Sequence, residues 1–430
     1  MKLELERLFR LRGELAWVLI GHGAAFVGGM LGLKLLTGLL ATAEYGQLAL
    51  GLTIAGFLTT FLHNPLSNSA ARFYAPYRDA GKQRIYFAAL RSLHLQLFLT
   101  LLPFIVLIPV LVGFLFNGQW GYLVLVGLLF GIANGTWVSF LAWQNAARDR
   151  RGATLGQIAD VWLRIGIAIL LAMLLRSGTG SLIGYVAGTL LVLLWQNRLA
   201  TRQEGLLATS EKKPELLQLT SARQEFIHFA VPFSGYAVFT SITLYADRWI
   251  VQGIQGPEAV GTYAAMYQLA ASPINILFAV VNQLMVPIVY ERAGRAASGG
   301  ANNEIRRLLH RIVAISTAIL ICLIIPLWLW CEPVAALFTT PEFAAHARLI
   351  PLLMLGMAFF QLGQIYTLEG NCANRPGIYL WAKLTHAAML CLAGVLLTRS
   401  SGVYGMAMAT LVSSVVYLVS VPFINSRTVY

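Results

Sequence analysis

The sequence predicts an all-α polytopic membrane protein, with twelve transmembrane helices in two six-helix repeats. Of its 430 residues, 58% are hydrophobic and only 11% are charged, so most of the chain cannot face water. Apolar runs of about 20 residues, each long enough to cross about 30 Å of hydrocarbon as a helix, recur along the whole length. Strand-like alternation of polar and apolar residues is absent, so the spans are predicted to be helices.

A repeated segment divides the chain into two similar halves. In the first copy a short turn, Ala43 to Gly46, opens an apolar helix that leads into the basic segment Arg72 to Lys82. In the second copy the turn Gly256 to Tyr263 opens a helix that ends in Pro287 to Arg295. The turn glutamates of the two copies lie about half a chain length apart, as expected for an internal repeat.

Six apolar spans are predicted before the longest polar stretch, and six after it. The first six are Leu15 to Leu39, Gly46 to Leu66, Tyr86 to Phe116, Trp120 to Trp143, Ala153 to Leu175 and Ser181 to Asn197. The second six are Phe226 to Asp247, Val260 to Tyr290, Ile312 to Trp330, Leu349 to Thr367, Ile378 to Leu397 and Val403 to Phe423. The predicted domains are therefore an N-terminal lobe (1–197), a cytoplasmic linker (198–225) and a C-terminal lobe (226–430).

Lysine and arginine give the predicted orientation, because short cytoplasmic loops hold them preferentially. With the N-terminus inside, 24 of the 31 basic residues fall in the inner segments and adjoining helix ends, and four fall in outer loops. Both termini are therefore predicted to be cytoplasmic.

Ionisable residues inside the spans are the candidates for function, because a charge in hydrocarbon costs about 3 kcal/mol or more and usually faces a cavity or a partner. Asp160 and Arg164 lie four residues apart in the fifth span, on one helix face. One interpretation is a self-neutralising pair. In the other, Asp160, predicted to be the only acidic residue well inside a span, couples transport to protons or sodium, and Arg164 releases it to hold an anionic substrate.

Lys34 is the candidate on the first span, in its outer third. A lysine there can snorkel to the surface through its flexible stem, or it can line a cationic cavity, and both interpretations stay open. Gly28 and Gly32 of the same span are four residues apart and predict a close helix neighbour.

Three further charged residues lie near predicted helix ends. Arg72 ends the second span at the inner side, where it is either a positive-inside anchor or a substrate ligand. Asp247 and Arg248 are adjacent at the outer end of the seventh span and are candidates for a gate or interface. Adjacent helical residues point about 100° apart, so we expect these two to need other partners.

Several other function classes are disfavoured. Aspartate occurs only four times, and no glycine-rich phosphate loop or ATPase motif is present. No long outer loop exists to carry the acid and base of a membrane glycosyltransferase. The net charge of +13 is mostly topological, and no soluble segment is long enough to form a nucleic-acid-binding face. We therefore expect no enzyme activity, no cofactor, no metal and no nucleic-acid partner.

Two segments carry a resemblance to a known family. Leu36 to Lys82, with its Ala43 to Gly46 turn and its Arg72 to Tyr74 exit, resembles the opening of the polysaccharide transporter family, the O-antigen flippases. Tyr245 to Ile250, running into Gly256 to Ala264, resembles that family as well. The family belongs to a superfamily that also holds multidrug and toxin extruders and lipid II flippases. The helix count and order match over the whole chain.

The resemblance implies a fold, an activity and a location. Proteins of this kind have two six-helix lobes flanking a central cavity. They move a polyprenyl-pyrophosphate-linked oligosaccharide from the inner to the outer leaflet by alternating access. The resemblance thus implies a multi-pass protein of the bacterial inner membrane, with a lipid-linked anionic glycan and membrane lipids as partners. It leaves open contact with other glycan-assembly proteins.

The resemblance also bears on single residues. Arg72 matches the basic end of the family's second helix, and Asp247 with Arg248 matches an Asp-Arg pair often found after the seventh helix. In the lipid II branch, cavity arginines on the first helix bind the pyrophosphate. Here the first helix carries Lys34 nearer its outer end instead.

The predicted function is export of an O-antigen or exopolysaccharide repeat unit on its lipid carrier. Lys34, Arg72 and Arg164 are the candidate substrate ligands, and Asp160 is the candidate for ion coupling. The predicted spans carry three basic residues, Lys34, Arg164 and Lys383, against one well-buried acid, which suits an anionic substrate better than the cationic drugs that extruders prefer. The alternatives are a cation-coupled multidrug extruder working through Asp160, a glycan-assembly polymerase or ligase, and a scaffold without transport.

Overall fold

The computed structural model describes residues 2–208, 215–295, 301–373 and 375–428, and the regular structure in these ranges is helical. The helices are α1 (Lys2–Leu39), α2 (Thr42–Leu58), α3 (Asn64–Asp79), α4 (Gln83–Leu115), α5 (Gly118–Ala146), α6 (Arg150–Leu175), α7 (Gly178–Ala208), α8 (Leu216–Gln255), α9 (Pro257–Arg295), α10 (Ala301–Leu329), α11 (Cys331–Phe338), α12 (Pro341–Ala344), α13 (Leu349–Cys372) and α14 (Leu380–Thr428). The predicted all-α membrane fold is confirmed.

The described helices account for the twelve predicted spans. Ten stretches are long and apolar enough to cross a membrane, and an eleventh is a pair within α8, Leu216–Gly235 and Ala237–Gln255, bent by 47°. The last of the ten, Gly377–Arg427, has 51 residues. At 1.5 Å per residue it measures about 77 Å, more than twice the hydrocarbon thickness of about 30 Å, so it holds two spans.

A single glycine separates those last two spans. Gly402 has a φ of 61° and a ψ of −143°, a conformation that favours glycine. A Cβ added to Gly405 would lie 1.8 Å from the carbonyl oxygen of Leu397. Residues eight apart in a straight helix are about 12 Å apart, so the chain reverses at Gly402 and the two segments pack side by side.

Two compact units make up the chain, Met1–Ser241 and Ile242–Tyr430, and their boundary falls within α8. Helix also occupies much of the predicted 198–225 linker, because α7 continues to Ala208 and α8 begins at Leu216. Between these two helices, residues 209–214 lie outside the described residues.

Glycines set the close helix packing of the first unit. The neighbour that Gly28 and Gly32 predict is α6: Cβ atoms added to them would lie 2.8 Å from Val161 and 3.1 Å from Ile165. On the other side of α6, a Cβ on Gly188 of α7 would lie 2.5 Å from the backbone nitrogen of Arg164. This close approach brings the charged residues of α6 against α7.

The repeated turn has a structural role in the first unit. A carboxylate oxygen of Glu44, near the start of α2, accepts a hydrogen bond from the backbone N–H of Gly178 at 2.7 Å. Gly178 begins α7, where backbone N–H groups lack partners within the helix. The predicted turn Ala43 to Gly46 lies within the first turn of α2, which begins at Thr42, and its Glu44 side chain also caps α7.

The Arg72-Phe73-Tyr74 segment lies on α3, which follows α2 through a π-helical turn, Thr59–His63. The Phe73 ring stacks on Phe226 of the first part of α8, with ring centroids 5.0 Å apart. The segment therefore contributes to an aromatic core that ties α3 to α8 within the first unit.

Candidate functional site

The first charged cluster consists of Asp160 and Arg164 on α6, Tyr185 and Thr189 on α7, and Phe130 on α5. The Nη2 atom of Arg164 lies 2.8 Å from Oδ2 of Asp160, as the four-residue spacing on one helix predicts. Thr189 donates its hydroxyl to Oδ1 of Asp160 at 2.9 Å. Both carboxylate oxygens are thereby engaged, one from within α6 and one from α7.

Arg164 is held less completely than its partner. Its side chain is 20% exposed, whereas that of Asp160 is 3% exposed. The guanidinium carbon lies 5.8 Å from the ring centroids of both Phe130 and Tyr185, within the range of cation–π attraction. A guanidinium has several N–H donors in a planar fork, so Arg164 can contact a phosphate or carboxylate with the donors that Asp160 does not engage.

The second charged cluster consists of Asp247 and Arg248 on α8 with Tyr263 and Tyr267 on α9, all in the second unit. Nη1 of Arg248 lies 3.1 Å from Oδ1 of Asp247. Tyr263 donates to the other carboxylate oxygen at 3.0 Å, and the guanidinium lies 4.0 Å from the ring centroid of Tyr267. The two adjacent residues thus contact each other, which helical geometry alone did not predict. Asp247 also contacts Tyr263, and Arg248 also contacts Tyr267, so each has a further partner, as we expected.

The remaining predicted ligands lie on two other helices. Lys34 is half-buried on α1, the helix that packs against α6 through Gly28 and Gly32. Arg72 is exposed on α3, and it does not end that helix, which continues to Asp79. The structure does not bring Arg72 into either charged cluster as defined above. Substrate binding by Lys34 and Arg72 stays a prediction.

The prediction that Asp160 is the only acidic residue well inside a span is wrong. Helix α8 continues to Gln255 and α13 to Cys372, so Asp247 and Glu369 both lie within helical spans and are buried. Asn425 donates to a Glu369 carboxylate oxygen at 2.9 Å, and Tyr379 donates to Asn425 at 2.6 Å. Glu369 was missed because the predicted span stopped two residues earlier, at Thr367.

Within the part of the chain that the structure describes, no group of three or more His, Cys, Asp or Glu residues is arranged to hold a metal ion. In each of the two clusters a buried carboxylate neutralises an arginine.

A family model described as polysaccharide biosynthesis protein matches residues 12–291, more than half of the chain. The chain belongs to this family. The match runs through both charged clusters and through both copies of the repeated turn, so the family resemblance of the sequence is confirmed. Among curated proteins, none matches this chain.

Solved transporters share the fold of this family member. The lipid II flippase MurJ, in an inward closed conformation, aligns with a TM-score of 0.68 and 12% identity over 95% of this chain and 86% of its own. The MATE multidrug transporter DinF-BH aligns with a TM-score of 0.69 and 15% identity over 97% of this chain and 95% of its own. The eukaryotic MATE transporter AtDTX14 aligns with a TM-score of 0.61 and 15% identity over 97% of this chain and 96% of its own. The TM-scores show a common fold, and sequence identities this low leave the substrate open.

Proposed function

We propose that this protein moves a polyprenyl-pyrophosphate-linked oligosaccharide, an O-antigen or exopolysaccharide repeat unit, from the inner to the outer leaflet by alternating access. Membership of the polysaccharide biosynthesis family carries the proposal. The partly exposed Arg164 supports it, because a guanidinium with donors beyond those that contact Asp160 suits an anionic substrate. The basic inner segments support an orientation with both termini in the cytoplasm.

In this mechanism Asp160 and the substrate pyrophosphate compete for Arg164. Without substrate, the carboxylate neutralises the guanidinium and avoids the cost of an unpaired charge in the membrane. When the pyrophosphate arrives, Arg164 binds it as a planar fork, and Asp160 keeps the hydroxyl of Thr189. Lys34 and Arg72 are further candidate contacts for the pyrophosphate.

Deleting the gene and locating the lipid-linked glycan tests the function directly. A glycosidase or lectin that cannot cross the bilayer reports which leaflet holds the glycan. Accumulation on the inner leaflet is the expected result. Accumulation on the outer leaflet would place the protein after export and favour a polymerase or ligase, and no accumulation would favour a drug extruder.

Charge variants test the proposed ligands. We expect Arg164→Ala and Lys34→Ala each to lower export per molecule of protein in the membrane, with exposed Arg176→Ala as the matched control. Normal surface glycan in both variants would contradict a cationic substrate site. A double variant, Asp160→Asn with Arg164→Gln, removes the pair without leaving a buried unpaired charge. If the pair is only structural, this double variant exports normally; if Arg164 binds substrate, export is lost.

A cation-coupled extruder is the second candidate, and the buried Asp160 favours it. A carboxylate held by one hydroxyl and one arginine can exchange a proton or sodium ion during transport. Loss of drug efflux in Asp160→Asn, with surface glycan unchanged, would support the extruder and contradict the flippase.

A further inference from the structure

Two histidines are neighbours inside membrane spans of the first unit, and neither belongs to the charged clusters. His63 is the last residue of the π-helical turn Thr59–His63, and His94 lies on α4. Their ring centroids are 6.1 Å apart. Single π-helical turns are rare and frequently occur at functional sites. Ionisable side chains inside a membrane are also candidates for function, and histidines serve there in proton relays.

The ring nitrogens of this pair lack the partners that buried polar atoms normally have. His63 is 2% exposed, and neither of its ring nitrogens has a hydrogen-bond partner among the described residues. Nδ1 of His94 lies 2.8 Å from the carbonyl oxygen of Leu90, and it carries a proton, because a carbonyl oxygen only accepts. Nε2 of the neutral His94 ring therefore has a lone pair, and it too is buried without a partner in the described chain. Such atoms need an explanation.

The structure makes room for the His63 ring without giving it a hydrogen bond. A Cβ added to Gly135 of α5 would overlap the imidazole, so the ring occupies the space that a side chain there would take. The hydroxyl of Ser67 donates to the backbone carbonyl oxygen of His63 at 2.8 Å, and it lies 2.9 Å from the hydroxyl of Ser139. The backbone carbonyl of His63 is therefore satisfied, whereas its ring is left to interact with His94.

The charged residues of the surrounding helices leave the second imidazole as the partner for a protonated ring. Helices α4 and α5 contain no acidic residue. Glu44, the acid of α2, caps α7, and Asp79, the acid of α3, is the last residue of that helix. Arg91 and Arg72 are the basic residues of α4 and α3 nearest in sequence to the pair, about one turn and more than two turns away.

A cavity of about 550 Å³ between α4, α5 and α7 gives water a place next to the pair. His94 lines this cavity together with polar side chains from all three helices: Arg91, Thr136, Ser139 and Asn197. These groups donate and accept hydrogen bonds, and a cavity that is polar and roomy can hold water. A rotation of the His94 side chain would bring its Nε2 atom from the buried position into the cavity.

We infer that His63 and His94 bind one proton as a pair. The proton is taken from water in the cavity and adds to the lone pair on Nε2 of His94. The new N–H then donates to the ring nitrogen of His63 that has a lone pair, and this charge-assisted hydrogen bond offsets part of the cost of a buried charge. The same route in reverse returns the proton to water. As the site of the coupling ion, the pair rests on the proposed transport function, whereas proton binding itself is measured without transport.

Solid-state NMR of the full-length protein in lipid bilayers, with isotope-labelled histidine, tests the site, because neutral and charged imidazole nitrogens have distinct chemical shifts. We expect the two rings to take up one proton between them as the pH falls from about 8 to about 5. In His63→Gln and in His94→Gln the remaining ring should stay neutral over this range, so the uptake is lost. The wild-type titration tests the inference even if a variant fails to fold.

His386 is the matched control within the second unit. It is 3% exposed, and its Nε2 atom also has no hydrogen-bond partner among the described residues. Its ring stacks on Phe360, with centroids 5.0 Å apart, and on its other side Nδ1 lies 3.3 Å from the hydroxyl of Thr243. We expect His386 to stay neutral in the same titration, and His386→Gln to leave the proton uptake of the pair unchanged.

Three results would overturn the inference: neutral rings at both positions down to about pH 5, unchanged protonation of His94 in His63→Gln, and titration of His386 over the same range. The third would show that burial alone explains the response to pH. The leaflet assay on the deletion strain keeps the two proposals apart. Inner-leaflet accumulation with both rings neutral would support the flippase and remove the proton site, whereas proton uptake without that accumulation would support the site and remove the flippase.

Discussion

The two charged clusters contain the same pair of residue types but hold the arginine differently. In the first unit Asp160 and Arg164 are one helical turn apart, and the Arg164 side chain is 20% exposed. In the second unit Asp247 and Arg248 are adjacent, and the Arg248 side chain is 12% exposed. Each arginine also donates to the carbonyl oxygen four residues earlier, Arg164 to that of Asp160 at 3.3 Å and Arg248 to that of Leu244 at 3.0 Å. Arg248 lies 4.0 Å from the centroid of the Tyr267 ring.

We propose that this difference separates an arginine that changes partners from one that stays in place. Arg248 has a carboxylate, a carbonyl oxygen at 3.0 Å and the Tyr267 ring at 4.0 Å, all from the second unit. Arg164 has a carboxylate, a carbonyl oxygen at 3.3 Å and two rings at 5.8 Å, so its carbonyl and ring contacts are longer, and more of its side chain is exposed. On this basis we propose packing for the second cluster and substrate exchange for the first.

The largest expected effect comes from breaking the second cluster with Asp247→Ala. Removing one partner of a buried pair leaves an uncompensated charge and typically costs about 3–5 kcal/mol of folding free energy. We expect a large drop in the amount of folded protein in the membrane and in the melting temperature of the purified protein. Wild-type stability in Asp247→Ala would contradict the packing role.

The control for that change is Asp79→Ala. Asp79 pairs with Arg78 at 2.8 Å, but the two side chains are 67% and 47% exposed. Exposed ion pairs contribute about 0–1 kcal/mol, so this variant should melt at nearly the wild-type temperature. An equal loss of stability in both variants would show that burial does not distinguish the two pairs.

A smaller effect is expected from Gly188→Ala, which perturbs only the first cluster. The new Cβ would lie 2.5 Å from the backbone nitrogen of Arg164, and backbone atoms cannot rotate away. Overpacking of this kind costs about 1–3 kcal/mol and should also displace Arg164, so melting temperature and export fall together. Gly166→Ala is the control, because a Cβ there meets no atom within 4 Å. Normal export in Gly188→Ala would show that the position of Arg164 does not matter.

Local spacing explains what the sequence predicted correctly. Apolar length indicated the spans, because each helix must cross the same hydrocarbon thickness. The four-residue spacing of Asp160 and Arg164 indicated their contact, and the small residues Gly28 and Gly32 indicated a close neighbour. All three patterns lie within a single helix, so they can be recognised without knowledge of the tertiary fold.

These single-helix patterns could not predict contacts with residues on other helices. Thr189 reaches Asp160 only because Gly188 lets α7 approach α6. The hydrogen bond from Tyr263 to Asp247 likewise joins two helices, α9 and α8.

The smallest expected effects come from removing one hydroxyl from each cluster, with Thr189→Val in the first and Tyr263→Phe in the second. Each hydroxyl donates to a buried carboxylate from a neighbouring helix. Such interhelical hydrogen bonds are worth about 0.6 kcal/mol in membrane proteins, with a maximum near 1.7 kcal/mol. The melting temperatures of the two variants should therefore fall by similar, small amounts.

Export should nevertheless differ between these two variants. Without the Thr189 hydroxyl, Asp160 depends more on Arg164 and releases it less readily, so we expect Thr189→Val to lower surface glycan per molecule of protein. Tyr263→Phe changes the cluster to which we assign packing, so we expect its export to match the wild type. Surface glycan normalised to protein level in the membrane measures the difference. Equal export in the two variants would remove the distinction between an exchangeable and an enclosed arginine, whereas a deficit in Thr189→Val alone would place the exchange at Asp160.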